Sequence, residues 1–452
     1  MSSNQYWSAK DMPTRWYNLK AEFPQFSVPS INAETGKPVT EDDLKDLFAE
    51  GLIDQEFNYS DMFIDIPDDL LKYYSIWRST PLVRAARLEE YLGTKCRILY
   101  KYEGVSPIGS HKANSAIAQA YFTKKAGLRR VVAETGAGQW GSAISMAASF
   151  FGLDCTVFMV QNSYNAKPAR RTMMQTFGSK VLSSPSNVTE VARRALEADP
   201  NFQGGIGTAI AEAVESAASD ADTAYALGSC FDFVCMHQTI SGLELKNQLD
   251  ALEISPNYII CCIGGGSSYA GITFPYLREK LNNGLDVELI AVESNAVPSV
   301  SKGLYTYDHG DSSRLTPLLK MYTLGHEFAA PHIHSGGLRY HGLSSTVSSV
   351  LNSNNGTIRA YSQLDVFEAA MLFAKLEGYI PAPEAAHGIK AAMDIARDKA
   401  DQEKTIVFSL TGHGFFDLAG YDAYLQGTMP DSDTPDSEIA ESLQKLREAV
   451  RF

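Results

Sequence analysis

Lysine, histidine and glutamate side chains stand close together in the first half of the chain: Lys112 directly follows His111, and Glu134 heads a glycine-rich turn. A lysine amine attacks carbonyl carbon, forming a Schiff base, only when desolvation or a neighbouring cation lowers its pKa. A glutamic acid donates a proton near neutral pH only when burial raises its pKa. Together the two suit carbonyl-linked chemistry with proton transfer at adjacent carbons. Each also has a plainer reading: Lys112 as an exposed solubilising residue at a helix start, Glu134 as an electrostatic cap on the following turn.

Three glycine turns follow apolar runs: Thr135-Gly-Ala-Gly-Gln-Trp-Gly141, Gly264-Gly-Gly-Ser-Ser268 and Thr411-Gly-His-Gly414. The first satisfies G-x-G-x-x-G at Gly136, Gly138 and Gly141, the dinucleotide pattern. A nicotinamide site also needs an acidic residue ending the next strand, and that strand, 155–160, runs into Gln161 and Asn162. Dinucleotide binding is therefore not expected. In the second turn the glycines admit close backbone approach, Ser267 and Ser268 offer hydroxyls, and a helix follows. Such a helix N-terminus favours a phosphate, with a ligand-free tight turn as the alternative. No G-K-S/T follows, so a nucleoside triphosphate loop is not expected. Thr411 either presents a hydroxyl or closes its turn. His332, His334 and His341 lie in a Pro- and Gly-rich loop without nearby acidic or thiol ligands, so no metal is expected.

These residues need a scaffold of alternating strands and helices. Apolar, β-branched runs predict strands over 97–102, 130–133, 155–160, 258–263, 288–292 and 405–410. Helical patterns fall over 114–126, 141–151, 269–282 and 366–377. Alternation of this kind implies βαβ units and a largely parallel sheet, and the lack of strict polar alternation implies cover on both faces. Residues 1–77, with several prolines and acidic clusters, read as an irregular extension wrapped on the body. After Gly427 a polar loop precedes a short amphipathic helix.

The 452 residues allow two or three domains around a sizeable core. A net charge of −14, from 39 basic and 53 acidic side chains, repels nucleic acid and anionic membrane. No secretory signal is legible at the N-terminus, and no apolar run is long enough to span a bilayer. The six cysteines include no C-x-x-C pair and read as reduced, buried thiols of a cytoplasmic protein.

Tyr102-Glu-Gly-Val-Ser-Pro-Ile-Gly-Ser-His-Lys112, followed by Ala-Asn-Ser-Ala, resembles the cofactor-lysine segment of the tryptophan synthase β-chain family. The likeness is closest to that family's second branch, which carries an N-terminal extension. Ala133-Glu-Thr-Gly-Ala-Gly-Gln139, Gly228-Ser229, His237 to Gly242 and Gly264 to Ser267 match in order. So do Gly336-Gly-Leu-Arg-Tyr-His-Gly342, Glu377 to Glu384 with His387, and Thr411 to Gly414. The resemblance runs from about Tyr17 to Leu425.

It implies the type II pyridoxal-phosphate (PLP) fold: two three-layer α/β/α lobes with the cofactor between them. The division would be an extension over 1–77, a lobe over 78–229 bearing the Schiff-base lysine and a mobile substrate-carboxylate subdomain, and a lobe over 230–452. Lys112 would hold the cofactor and act as acid and base at the substrate Cα. His111, Asn114, Gly264, Gly265, Gly266, Ser267 and Ser268 would surround the cofactor, the last five cradling its phosphate. Thr411 would meet the pyridine nitrogen, and Glu377 would lie close to the ring. Thr135, Gly136, Ala137, Gly138 and Gln139 would hold the substrate carboxylate, and Glu134 would be the acid and base near the leaving hydroxyl and the indole nitrogen. Carbanion stabilisation belongs to such a cofactor, while the protein sets orientation and protonation.

Several positions depart from the family pattern. Ser268 replaces an asparagine, Trp140 a histidine of the main branch, and Arg339 a gating aspartate. The planar fork of an arginine suits a phosphate or carboxylate, so Arg339, with Trp140, joins the substrate-binding set. Thr411, Phe415, Glu293 to Val297 and the Gly228-Ser-Cys-Phe-Asp-Phe233 run also differ. The implied reaction is β-replacement, joining L-serine or O-phosphoserine to indole through an aminoacrylate to give tryptophan or a close isomer. Bonding at indole C3 or N1 stays open. The alternatives are a same-fold lyase or deaminase, a different nucleophile, or a regulator with a vestigial site. The family implies a homodimer, and the extension implies stand-alone action on free indole, with an α-chain partner left open.

Overall fold

Parallel pairing sorts the strands of the computed structural model, which describes residues 12–449 and the backbone of Gln5–Tyr6, into two principal sheets. The larger has the order Gln5–Tyr6, Leu82–Arg84, Arg97–Tyr102, Thr405–Leu410, Tyr258–Cys262, Glu288–Ser294, Thr357–Tyr361. Its first two strands pair antiparallel at one edge, and the rest are parallel. The smaller is wholly parallel, in the order Lys180–Ser184, Asp154–Val160, Arg130–Thr135, Thr223–Tyr225. The apolar residues of their central strands, such as Val131, Val132, Ile259 and Ile260, are fully buried, as strands covered on both faces require.

The expected elements over 97–102 and 405–410 have those bounds, and the helices expected at 114–126 and 141–151 run as Ala113–Lys125 and Gln139–Phe151. The 20-residue helix Asp232–Ala251 had no sequence signal, because it is buried nearly all round and shows no amphipathic stripe. A hairpin of Leu304–His309 and Leu318–Thr323 was also not anticipated.

Two features of the organisation add to the expected division. The described residues before 78 are not wholly irregular: helices Glu50–Glu56 and Asp68–Tyr74 and a ribbon of Arg15–Tyr17 with Phe63–Asp65 occur there. Trp16, Phe48 and Leu52 are buried in the same clusters as residues of the body. The boundary at 229/230 does not coincide with sheet membership either. Leu82–Arg84 and Arg97–Tyr102 belong to the larger sheet, because Arg97–Tyr102 finds its parallel partner in Thr405–Leu410 near the C-terminus.

The fold brings one set of ends together. Thr135 ends a parallel strand, Gly264 and Thr411 follow two others, and loops at the carboxyl ends of parallel strands form the ligand crevice of open α/β sheets.

Candidate active site

Lys112 immediately precedes the helix Ala113–Lys125, and its segment is stitched to the loop after Thr405–Leu410. His111 N–H donates to the Thr411 carbonyl at 2.9 Å, and His413 N–H to that of Gly109 at 3.0 Å. The Lys112 amine donates to the Gly228 carbonyl oxygen at 2.8 Å. Among the described residues no carboxylate lies within ion-pair distance of it. Removal from water lowers the Lys112 pKa, opposed by Glu134, Cys230 and Glu384.

Glu134 is buried at the end of the strand Arg130–Thr135. Burial raises its pKa, opposed first by a hydrogen bond from the Tyr225 hydroxyl to Oε2 at 2.7 Å and then by Lys112. Amine and acid are thus both driven toward their neutral forms. Lys112, Glu134, Gly265 and Arg339 border one cavity of about 410 Å³.

Thr135, Gly136, Ala137, Gln139 and Trp140 border the same cavity. The Thr135 hydroxyl closes the turn by accepting from Gly138 N at 3.2 Å and Gly141 N at 3.1 Å. Gly138, at φ 95°, takes the left-handed backbone that starts the next helix and sits against Arg170. Gln139 donates to Glu384 Oε2 at 3.0 Å, and Gly337 N donates to Glu384 Oε1 at 2.7 Å. Trp140 is anchored by its indole N–H on the Ala226 carbonyl at 3.1 Å. Arg339 donates from Nη2 to Ala330 O at 3.1 Å, while its buried Nε has no acceptor.

Gly264, Gly265 and Gly266 lead into the 17-residue helix Ser267–Asn283. A Cβ on Gly265 would come within 2.1 Å of Ser229 Oγ, so only glycine leaves this wall open. Ser267 Oγ donates to Gly228 O at 3.1 Å and Ser268 Oγ to Cys262 O at 3.3 Å. His111 Nδ1 faces the Thr411 carbonyl at 3.3 Å, which can only accept, so Nδ1 carries the hydrogen. Burial pushes the His111 pKa down to about 3, keeping the ring neutral. The Thr411 side chain is buried, with its hydroxyl 3.8 Å from Cys262 Sγ.

Two residues expected near the cofactor have their side chains engaged with other groups. Asn114 is turned into a buried polar network: its Oδ1 accepts from Arg78 at 2.8 Å, and its Nδ2 donates to Glu103 and Gln238. A charged guanidinium beside two acids claims the amide more strongly than a cavity edge does. Glu377 ends the helix Gln363–Glu377, where Oε1 accepts from Leu88 N at 2.8 Å and Oε2 lies 3.7 Å from Arg87. Of the two acids in this run, it is Glu384 that holds residues of the cavity wall, Gln139 and Gly337. Ala382 N donates to Gly412 O at 2.9 Å, which ties the start of the helix Pro383–Asp398 to the Thr411 loop. The signal lay in the quoted Glu377 to Glu384 run, where Pro383 marks a helix start and places Glu384 in the first turn. Tyr225, in a three-residue strand, carried no sequence signal. All six cysteines are free, but Cys230 is partly exposed and borders the cavity rather than lying in the core.

A desolvated amine held only on a neutral carbonyl, a glycine-lined wall at the start of a long helix, and a buried threonine hydroxyl make a donor set that fits a phosphorylated aldehyde cofactor.

Residues 75–412 match the family described as pyridoxal-phosphate dependent enzyme. Tryptophan synthase β chain 2 of Pyrococcus abyssi is 48% identical over 431 residues, covering 95% of this chain and 98% of that one. The β chain 2 of Thermotoga maritima is 49% identical over 414 residues, covering 91% and 98%. Among solved structures, a fungal L-serine ammonia-lyase from Rhizomucor miehei shares the fold with a TM-score of 0.57 at 20% identity, covering 78% of this chain and 98% of that one. The processed threonine deaminase isoform 2 of Solanum lycopersicum does so with a TM-score of 0.60 at 14% identity, covering 80% and 94%.

Proposed function

Since the chain belongs to the pyridoxal-phosphate-dependent enzymes, and among them to the tryptophan synthase β chains, we propose that it joins L-serine or O-phosphoserine to indole to give L-tryptophan or a close isomer. The observation that carries this reading is the placement of Lys112 and Glu134 on the wall of one cavity, with the amine's pKa lowered and the acid's raised by burial.

Lys112, with His111, the Gly264–Ser268 wall and Thr411, would hold the cofactor. Bound pyridoxal phosphate supplies the electron sink that acidifies the substrate Cα–H. The rest falls to this chain's own groups. Lys112, its pKa lowered by desolvation, takes the Cα proton and later returns one. The rim from Thr135 to Gln139 binds the substrate carboxylate, and Glu384 holds Gln139 in place. Glu134 gives its proton to the leaving β-oxygen and then, as carboxylate, takes the proton from the indole nitrogen. Tyr225, Leu227 and Trp140 add apolar wall area that suits a flat aromatic nucleophile. Arg339, with an unpaired N–H, favours an anionic group on the donor amino acid.

A cytoplasmic homodimer acting on free indole completes the reading. Six free thiols suit a reducing compartment. The exposed Phe415, Leu418 and Leu425, close in sequence, offer a face for self-association. Among the described residues no helix is long and apolar enough to cross a membrane.

The test is product identification by NMR after incubation with indole and either L-serine or O-phosphoserine. A product with the amino-acid β-carbon bonded to indole is expected, and the bond shows whether C3 or N1 reacts. Pyruvate and ammonia alone, with indole untouched, would replace the reading with deamination.

A further inference from the structure

Tyr225 is the last residue of the strand Thr223–Tyr225, at the edge of the smaller sheet. Its register is set on one side by Val132, opposite it in the ladder. On the other side its N–H donates to the Leu47 carbonyl at 2.7 Å. An edge strand leaves such groups open, and here the N-terminal segment supplies the acceptor. The Tyr225 ring lies 5.8 Å from that of Phe48, which also meets Phe231 at 5.2 Å and Phe233 at 5.6 Å. Phe48 is 4% exposed, so the cluster is part of the core. Ring and backbone of Tyr225 are thus held from outside the sheet, and the hydroxyl is aimed at Glu134 Oε2, 2.7 Å away.

We propose that Tyr225 is the positioning residue for Glu134, and that Leu47 and Phe48 hold Tyr225 in place, so that a segment remote in sequence aims the acid. The inference rests on the reading of Glu134 as the proton carrier. A carboxyl group rotates freely unless its oxygens are anchored; the Tyr225 hydroxyl fixes Oε2 and is, among the described residues, the one side-chain donor to this carboxylate, beside the backbone N–H groups of Glu134 and Gly228. The remaining charged or titratable groups around the pair are Lys112, Cys230 and Tyr340. Glu212, on the helix packed against the strand of Glu134, turns Oε1 to Ser186 and Thr189.

The test uses Tyr225→Phe, which removes only the hydroxyl, and Phe48→Leu, which keeps the position apolar but removes the ring, both in the holoenzyme. The carboxyl stretching band of Glu134, identified by its loss in Glu134→Gln, is titrated by infrared spectroscopy without substrate. Losing a donor to the carboxylate disfavours its charged form. In Tyr225→Phe the titration should therefore move up by about one pH unit, and in Phe48→Leu by a smaller amount in the same direction. In turnover, Tyr225→Phe should lower kcat roughly 10-fold with the donor KM changed less than about twofold. An unmoved Glu134 titration with kcat within about twofold of wild type overturns the role of Tyr225. A shift in Tyr225→Phe but none in Phe48→Leu overturns the role of the N-terminal segment. If no donor yields an indole product, the proposed reaction fails, while the infrared titration still decides the Tyr225–Glu134 relation.

Discussion

Lys112 Nζ and Ser267 Oγ donate to the same acceptor, the carbonyl oxygen of Gly228, at 2.8 and 3.1 Å. When the amine leaves for a carbonyl carbon, Ser267 keeps that oxygen satisfied, so no buried acceptor is orphaned. The lysine is docked but not trapped, because its partner is a neutral carbonyl rather than a carboxylate.

Replacement of Lys112 by alanine should remove the covalent cofactor linkage and lower turnover by about a thousandfold or more. The check is the visible absorption of the purified protein together with a rate assay. An unchanged spectrum would show that another lysine holds the cofactor.

Glu134 carries a pH prediction. Its pKa is raised by burial, so the acid needed for the leaving group is lost as pH rises through that raised value. Turnover should therefore fall on the alkaline side, and Glu134→Gln should lower kcat by about 100-fold and flatten that limb. The fold responds with the opposite sign. A carboxyl whose folded pKa is raised destabilises the native state as pH rises above the ordinary carboxylate range. Glu134→Gln should thus raise the melting temperature near neutral pH by about 1–2 °C, measurable by calorimetry.

Glu384 and Glu377 should separate cleanly. Glu384→Gln weakens the anchor of Gln139 and of the Gly336–Gly337 loop, and should raise the KM for the donor amino acid about 10-fold. Glu377→Gln acts at Leu88 N and Arg87, and should cost about 1–2 kcal/mol of stability with little kinetic effect. Steady-state kinetics and urea unfolding of the two variants decide it.

Asn114 belongs to a buried network in which Glu244 accepts from Arg78, Thr80 and Lys101, and Glu103 accepts from Arg78, Thr80, Asn114 and Ser241. Asn114→Ala should cost about 1–3 kcal/mol while cofactor affinity changes less than about threefold. Glu244→Gln, which leaves Lys101 and Arg78 short of a buried counter-charge, should cost about 3–5 kcal/mol. Denaturant unfolding and fluorescence titration with PLP measure the two effects separately.

Much of this molecule was legible in its residues. The strands at 97–102 and 405–410, the turns at Gly136, Gly264 and Thr411, and the importance of Lys112 and Glu134 follow from local patterns, because period, turn chemistry and side-chain type are properties of short segments. What only the tertiary structure decided is which side chain meets which. Glu377 and Glu384 stand in one motif, but the turn between their helices and the bond from Ala382 to Gly412 bring only Glu384 to the cavity-wall residues Gln139 and Gly337. Asn114 follows Lys112 closely, yet Arg78 draws its amide the other way. Tyr225 meets Glu134 from a sheet edge that Leu47 and Phe48 cover. Such pairings depend on contacts between segments far apart in the chain, whose geometry is set by packing and by the demand that every buried polar group find a partner.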